Sequence, residues 1–168
     1  MLTLVQAATP KQIAQARELF LEYSDWLGFD LSFQNFQQEL AQLPGAYAPP
    51  SGRLLLALDP IQEAERGRSI PAGCVALRRI SDEICEMKRL YLRSGFRGRG
   101  VGRKLAEAII AEARSIGYKR MRLDTIQPKM QDALLLYRSL GFREIAPYRE
   151  NPIPGAMYME LELKESVG

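Results

Sequence analysis

The fold is decided by the stretch Leu92-Arg93-Ser94-Gly95-Phe96-Arg97-Gly98-Arg99-Gly100-Val101-Gly102-Arg103-Lys104-Leu105, where an apolar strand enters a loop and an amphipathic helix leaves it. Three glycines and three arginines lie close together in this loop: Gly98, Gly100, Gly102, Arg97, Arg99 and Arg103. Glycine permits a positive φ and lets a ligand come within hydrogen-bond distance of the backbone amides. The helix N-terminus that follows has unpaired N–H groups and favours an anion, and the arginines add positive charge. Together these features predict a binding site for a pyrophosphate.

The loop differs from two other phosphate-binding loops. A Walker A loop ends in Gly-Lys-Ser/Thr, whereas here Gly102 is followed by Arg103-Lys104. A dinucleotide-binding G-x-G-x-x-G needs a further glycine where Arg103 and Leu105 stand. The remaining alternative is a glycine-rich connection whose arginines only face solvent, and the combination of glycines, arginines and a strand–loop–helix context favours the phosphate site. Taken alone, the loop indicates a ligand that carries a diphosphate.

Hydrophobic periodicity on both sides of the loop predicts a single domain over residues 1–168. Helices are predicted from Thr9 to Leu27, from about Ser32 to Leu43, from about Gly102 to Ile116 and from Lys129 to Leu140. Strands are predicted over Thr3–Ala8, Arg53–Leu58, Ala72–Ile80, Ile84–Leu92, Lys119–Ile126, Phe142–Ala146 and Met157–Leu163. The polar segment Asp59–Ser69 is predicted to be a surface loop. A mixed sheet with helices on both faces accommodates this order.

The composition excludes several kinds of chemistry. The chain has no histidine, which removes Ser-His-Asp and Cys-His nucleophilic catalysis, HExxH zinc sites and histidine acid–base catalysis. Two cysteines are too few for a four-cysteine zinc site or an iron–sulfur cluster, and no carboxylate cluster is spaced for a metal. We therefore expect no metal. The net charge of +3 is small, so we expect no nucleic-acid partner.

Signals for export or membrane insertion are missing from the sequence. The first residues have no basic region followed by an apolar one, and no stretch approaches the ~18 apolar residues of a membrane span. These features predict a cytoplasmic protein that does not bind a membrane.

The two cysteines are not expected to form a disulfide. A hairpin turn at Ser81-Asp82 would pair residues whose numbers add up to roughly 163, so Cys85 would lie opposite Arg78 rather than Cys74. We therefore expect two buried thiols and no disulfide.

The segment Arg97–Gly102 fits R/Q-x-x-G-x-G, the acetyl-CoA signature of the GNAT superfamily of N-acetyltransferases. The strand before it, Met87–Leu92, and the helix after it resemble the rest of that family's motif A. The segment Ala133–Phe142 resembles motif B, in which a helix ends at Tyr-x-x-x-Gly-Phe. The order of elements is similar over nearly the whole chain. The resemblance implies an α/β (α+β) acyl-CoA N-acyltransferase fold, with a mixed, mostly antiparallel twisted sheet of about seven strands flanked by about four helices.

The same resemblance implies acetyl-CoA as cosubstrate. Strand residues would bind the acetyl carbonyl and the pantetheine arm, loop amides would hold the pyrophosphate, and Tyr137 would lie near the CoA sulfur. The residues expected to bind the cofactor are Leu90, Tyr91, Leu92, Arg97, Gly98, Arg99, Gly100, Val101, Gly102 and Arg103. Many relatives carry Asn seven residues before the tyrosine that corresponds to Tyr137. This chain has Met130 there, so one polar contact to the cofactor arm is in question.

Two side chains are candidates for catalysis. Tyr137 is the candidate general acid for the departing thiolate, and its alternative role is packing at a helix end with its hydroxyl in water. Glu86 is the candidate general base, because its strand should face the substrate and low-dielectric surroundings would raise its pKa. The alternatives are a glutamate that faces solvent or pairs with Lys88, while bulk water takes the amine proton and proximity supplies the rate. Lys88 or Arg89 could bind an anionic group of the acceptor, but an outward side chain or an ion pair with Glu86 or Asp124 is the favoured account.

The predicted function is direct transfer of the acetyl group of acetyl-CoA to a primary amine of a small-molecule or protein acceptor. Two alternatives stay open: an acyl-CoA-binding sensor without turnover, which Met130 mildly favours, and a nucleotide-binding protein of another class. The sequence does not identify the acceptor, and it does not decide whether the protein forms a homodimer. The N-terminal helices and the loop Asn151–Gly155 are expected to shape the acceptor pocket. Tyr23, Trp26 and Phe29 could form a wall of it, but ordinary packing of the first helix is the favoured account of these aromatics.

Overall fold

The computed structural model describes residues 2–28, 35–59, 71–126 and 130–163. Within these ranges, strands β1 to β7 are Thr3–Gln6, Arg53–Leu58, Pro71–Arg79, Ile84–Leu92, Arg120–Ile126, Arg143–Ile145 and Ala156–Glu162. They form one sheet in the order β1-β2-β3-β4-β5-β7-β6, in which β4 and β5 pair in parallel and the other neighbours pair antiparallel. Helices α1 to α4 are Pro10–Leu27, Phe36–Gln42, Val101–Ile116 and Gln131–Ser139. The predicted fold class is confirmed.

The helices cover both faces of the sheet. Helices α3 and α4 pack on one face, and the apolar side of the amphipathic helix α3 is buried there: Leu105, Ile109, Ile110 and Ala113. Helices α1 and α2 pack on the other face, where Phe20 and Phe36 meet Leu54 and Cys74. No helix in the described ranges combines the length and the apolarity that crossing a membrane requires. Each face of the sheet therefore has its own hydrophobic core.

Local sequence signals set the ends of α1. Thr9 and Gln12 form a capping box, and Gly28 ends the helix with a φ of 73°. The structure describes α2 only from its N-cap, Asn35. Four predictions fall outside the described residues: the role of Phe29, the helix start at Ser32, most of the 59–69 loop and the helix start at Lys129.

The β3–β4 hairpin has a different register from the predicted one. Cys85 lies opposite Arg79 rather than Arg78, because residues 81–83 form a three-residue connection instead of a two-residue turn. Cys74 lies opposite Tyr91, and both thiols are free and buried. The turn position was therefore predicted correctly, and the register was wrong by one residue.

A β-bulge interrupts β4 in its middle. Ala76 pairs with Lys88 and Cys74 pairs with Tyr91, so two residues of β4 lie opposite one residue of β3. Arg89 occupies the bulge with a φ of 61°, a conformation that costs a non-glycine residue about 1–3 kcal/mol. Strict alternation along a strand would send Lys88 and Arg89 to opposite faces. The bulge instead turns both side chains toward α1 and α2, where Arg89 meets Phe36 and Lys88 approaches Asp124.

Strands β4 and β5 separate halfway along their length. Their pairing covers only Ile84–Glu86 against Arg120–Arg122. Beyond this point the space between them is lined by residues from both strands, including Lys88, Leu90 and Asp124. The gap joins the two faces of the sheet at its centre.

Candidate active site

An open groove runs along β4 between the glycine-rich loop and the start of α4. It has about 1000 Å³ of empty space, and Leu136 and Met130 form part of its α4 side. Six of the residues predicted to bind the cofactor line it: Leu90, Tyr91, Leu92, Arg97, Gly98 and Gly102. The remaining four predicted residues lie at the start of α3: Arg99, Gly100, Val101 and Arg103. Gly100 is the N-cap of this helix, and Val101 is buried in the core.

The three glycines of the loop have different physical roles. Gly98 and Gly100 have φ values of 78° and 75°, and a Cβ added at either would meet nothing within 4 Å. These two positions therefore need glycine for backbone conformation, and the space beside them is open to a ligand. Gly102 is helical, and its added Cβ would lie 3.3 Å from the Leu92 side chain. Gly102 thus allows α3 to approach β4 closely.

The arginines of the loop have different partners. Arg97 donates from Nε to the Leu92 carbonyl at 3.0 Å, and its guanidinium lies over the Trp26 and Tyr91 rings, 5.3 and 5.8 Å from their centroids. Arg103 donates to Glu107 and to Ser139, which links α3 to α4. Trp26 also lines the groove, where its ring packs beside Tyr91 and Arg97.

A second cavity occupies the gap between β4 and β5. It has about 520 Å³ of empty space, part of which is open to solvent. Polar groups from several elements line it: Tyr23, Lys88, Arg89, Asp124, Tyr137 and Asn151. We call this cavity the cleft. Leu90 and Met130 line both the groove and the cleft. The two spaces therefore meet at these residues.

Tyr137 faces the cleft from α4. Its side chain is packed against Phe142 with ring centroids 5.7 Å apart, and the residue is only 6% exposed. Burial raises the pKa of the Tyr137 hydroxyl well above its usual value of 10.0, and the nearby Tyr23 and Asp124 raise it further. The hydroxyl stays protonated throughout the neutral and alkaline range, so it can donate a proton or a hydrogen bond. The structure does not favour the alternative role, a tyrosine with its hydroxyl in bulk water, because the residue is buried and lines the cleft.

Glu86 is fully buried and has three strong partners. Its Oε1 accepts from Arg78 at 2.8 Å, and its Oε2 accepts from the Tyr148 hydroxyl at 2.6 Å and pairs with Arg149 at 2.5 Å. Burial by itself would raise the pKa of Glu86, but Lys88, Arg78, Arg149 and the Tyr148 hydrogen bond outweigh burial and lower it. The expected direction of this pKa shift was therefore wrong. The role of Glu86 as a general base stays a prediction, and a carboxylate held in this way is a weak proton acceptor.

Lys88 and Asp124 form a buried ion pair in the cleft. Lys88 Nζ lies 4.0 Å from Asp124 Oδ1, and the two side chains are 3% and 8% exposed. Burial lowers the pKa of Lys88 to about 8, and the neighbouring Arg89 acts in the same direction. Asp124 Oδ2 accepts a hydrogen bond from Asn151 Nδ2 at 3.2 Å. Of the alternatives that the sequence leaves open for Lys88, the structure shows the ion pair with Asp124.

Arg89 binds a residue that sequence reasoning missed. Its Nε and Nη2 donate to the two carboxylate oxygens of Glu39 on α2 at 2.9 and 3.0 Å, and its guanidinium lies over the Tyr23 and Phe36 rings. This two-bond pair is of the strong, charge-assisted kind. The only sequence signal for it was an arginine in the middle of an apolar strand, which requires a partner but does not name one.

The chain is similar to proteins of a known family. Residues 13–142 match the model of the Acetyltransferase (GNAT) family. The chain belongs to this family. It is 40% identical to an uncharacterized N-acetyltransferase of Schizosaccharomyces pombe, over 93% of this chain and 91% of that protein. It is 31% identical to an uncharacterized N-acetyltransferase of Dictyostelium discoideum, over 92% of this chain and 96% of that protein.

Solved GNAT structures have the same fold. An acetyltransferase of the GNAT family from Staphylococcus aureus superimposes with a TM-score of 0.77 at 20% identity, covering 98% of this chain and all of that one. A GNAT family acetyltransferase from Elizabethkingia anophelis, whose structure has acetyl-CoA bound, superimposes with a TM-score of 0.62 at 22% identity, covering 96% and 97%. At this level of identity the likeness establishes the fold.

Met130 is the departure from the GNAT pattern. It is the N-cap of α4, it is 8% exposed, and its sulfur accepts a hydrogen bond from the Thr125 hydroxyl at 3.3 Å. Because it lines both the groove and the cleft, it gives an apolar surface to the place where they meet. This member of the GNAT family therefore has a thioether where an asparagine side chain was expected.

Proposed function

We propose that the protein transfers the acetyl group of acetyl-CoA directly to the primary amine of a small molecule. The observation that carries this proposal is the meeting of the groove and the cleft at Leu90 and Met130. A donor in the groove and an acceptor in the cleft would approach one another through the gap between β4 and β5. The cleft, with its buried polar groups, favours a small acceptor over a protein surface.

The groove fits acetyl-CoA by its chemistry. Amides from Gly98 to Arg103 would hold the pyrophosphate, since open space beside Gly98 and Gly100 adjoins the N-terminus of α3. The unpaired edge of β4 at Leu90 and Leu92 would hold the pantetheine arm, because β5 does not pair with β4 there. The GNAT structure from Elizabethkingia anophelis, which has acetyl-CoA bound, supports this assignment.

The residues around the junction match the needs of acetyl transfer. The amine nitrogen forms a bond to the thioester carbonyl carbon, the carbon–sulfur bond breaks, and the thiolate takes up a proton. A backbone amide of β4 near Leu90 would stabilise the negative charge that develops on the carbonyl oxygen. Tyr137 would donate a hydrogen bond or a proton to the thiolate; its hydroxyl is protonated at neutral pH, and its raised pKa makes it a weak acid. Holding both reactants at the junction would supply much of the rate. The proton released by the amine passes to solvent, or to Glu86 if it acts as the predicted base.

A competing function rests on Met130. A GNAT-fold protein that binds acyl-CoA as a sensor would need the groove and not the cleft, and the replacement of a polar contact by Met130 is compatible with such a role. The purified protein, acetyl-CoA and a panel of small amines distinguish the two. We expect release of CoA thiol together with an N-acetylated amine identified by mass spectrometry. Calorimetric binding of CoA without thiol release from any amine would favour the sensor.

A further inference from the structure

We infer that Met130 sets the length of the acyl group that the protein accepts, because its side chain limits the space at the junction of the groove and the cleft to an acetyl group. The inference rests on the proposed acetyltransferase function and adds a residue that determines which acyl donor is used. Met130 and Leu90 line both the groove and the cleft. An acyl group that passes from a donor in the groove to an acceptor in the cleft would lie beside these two residues.

The first argument is the chemistry of the junction. Leu90 and Met130 are apolar, and the cleft is also lined by the apolar residues Leu123, Ile126 and Ile153. An acyl chain is apolar beyond its carbonyl group, so it is favourable to bury against such residues. The thioether at position 130 therefore offers the acyl group an apolar contact, whereas the expected asparagine would offer polar atoms to the cofactor arm. Since polarity alone would admit longer chains, the limit on length has to come from shape.

The second argument is that Met130 is held in place. Its backbone N–H donates to the Ile126 carbonyl at 2.8 Å, and its carbonyl accepts from the Leu134 N–H at 2.9 Å. Its sulfur accepts a hydrogen bond from the Thr125 hydroxyl at 3.3 Å, and Thr125 is itself buried. Methionine is otherwise a flexible side chain that adapts to the space around it. These contacts make Met130 a fixed wall of the junction.

The third argument is what a longer chain would meet beyond this wall. The cleft is lined there by polar groups of Asp124, Tyr137 and Asn151, and Asp124 accepts a hydrogen bond from Asn151 at 3.2 Å. An apolar chain would take water away from these groups without replacing its hydrogen bonds, which is unfavourable. The same chain would also occupy the space that the proposed acceptor needs. An acetyl group avoids both penalties because it ends at the junction.

A series of acyl donors tests the length limit in the unmodified protein. Calorimetry would compare the binding of acetyl-CoA, propionyl-CoA and butyryl-CoA, and steady-state assays would compare their turnover with an amine from the panel. We expect acetyl-CoA to exceed butyryl-CoA by ~10-fold or more in both affinity and kcat/KM, since a tight pocket discriminates by about that factor for each methylene group. Equal affinities and equal kcat/KM for the three donors would overturn the inference.

Variants of graded size connect the limit to Met130. Met130→Ala removes the side chain beyond Cβ, and we expect the ratio of butyryl-CoA to acetyl-CoA in affinity and in kcat/KM to rise by ~10-fold or more. Met130→Val should shift the ratio in the same direction by less. Met130→Leu nearly conserves the volume and should keep the preference for acetyl-CoA. The ratio is measured within one protein, so a merely structural role, which would weaken all donors alike, would not change it.

Leu135→Ala is the matched control, because Leu135 lies on α4 and is 57% exposed. It should leave the ratio of the two donors at the wild-type value. If Met130→Ala does not fold, Met130→Val decides, since it leaves a smaller cavity. An unchanged ratio in either folded variant would overturn the role of Met130 while the proposed function stands. Absence of thiol release from every donor with every amine would instead overturn the proposed function, and the calorimetric ratios would still test Met130.

Discussion

At the scale of single residues, burial decides which groups around the cleft can exchange protons. Tyr137 and Glu86 are both buried, yet the pKa of the tyrosine is raised and that of the glutamate is lowered. Burial raises the pKa of both groups, but Glu86 also has the cations Lys88, Arg78 and Arg149 nearby, and they outweigh burial. A buried carboxylate in a sequence therefore does not by itself indicate a general base.

Tyr137→Phe tests the acid role directly. The substitution keeps the ring that packs on Phe142 and removes only the hydroxyl, so CoA affinity and thermal stability should change little. We expect kcat to fall by ~10²-fold or more, since the thiolate then has to take its proton from water. Calorimetry of CoA binding and steady-state kinetics measure the two effects. A parallel loss of binding and turnover would mean that the residue supports the groove and does not act as an acid.

Glu86→Gln separates stability from catalysis. The substitution leaves Arg78 and Arg149 without their counter-charge, which should lower the free energy of unfolding by about 3 kcal/mol at neutral pH. Because the pKa of Glu86 is lower in the folded protein than its usual 4.5, its stabilisation is complete above pH 4.5 and is lost as the pH falls through the lower pKa. The difference between variant and wild type in urea unfolding should therefore shrink in acid.

The same variant tests the base assignment. If kcat per folded molecule stays near the wild-type value at 20 °C or below, Glu86 is structural; a fall of ~10²-fold or more, reversed at high pH, would support the predicted base. Glu83→Gln is the control, since Glu83 is exposed and pairs with Lys119 at the surface. It should change neither stability nor rate.

At the scale of elements, the glycine-rich loop and the helix that follows are the part of the site that sequence predicts best. Their signals are local: glycines where φ is positive, an apolar helix face, and a following Gly117 at the helix end. The bulge in β4 has no comparable signal, because Arg89 is not a residue type that favours a positive φ. The side chain in the bulge pairs with Glu39, which is distant in sequence. The hairpin register was wrong for a related reason, since one extra connecting residue changes every pairing.

Gly100→Asp and Gly117→Asp form a matched pair for the loop. Both glycines have positive φ and open space around them, so each aspartate should destabilise the protein by about 1 kcal/mol through backbone strain. Only Gly100 adjoins the groove at the start of α3. Gly100→Asp should therefore also abolish CoA binding by placing a side chain and a negative charge beside the pyrophosphate, whereas Gly117→Asp should bind CoA normally. Equal CoA affinities in calorimetry would contradict the loop assignment.

At the scale of the whole molecule, the separation of β4 and β5 gives the sheet an opening that joins the space covered by α3 and α4 to that covered by α1 and α2. The sequence predicts the order of the elements and the phosphate loop, and so it predicts the donor. The acceptor side depends on charges contributed by α2, β4, β5 and the Asn151 segment, which only the tertiary structure brings together. For this reason the reaction class follows from sequence more readily than the acceptor does.

The opening also predicts the kinetic order of the reaction. With donor and acceptor bound at once on either side of the gap, the acetyl group has no need of an enzyme nucleophile. The two cysteines are poor candidates for one: both are buried, and burial raises the pKa of Cys85 to about 12 and that of Cys74 still further. Initial velocities with both substrates varied should give intersecting reciprocal plots, and mass spectrometry of the protein with acetyl-CoA alone should detect no acetyl adduct. Parallel plots, with an adduct that disappears in Cys74→Ala or Cys85→Ala, would establish a covalent route and refute direct transfer.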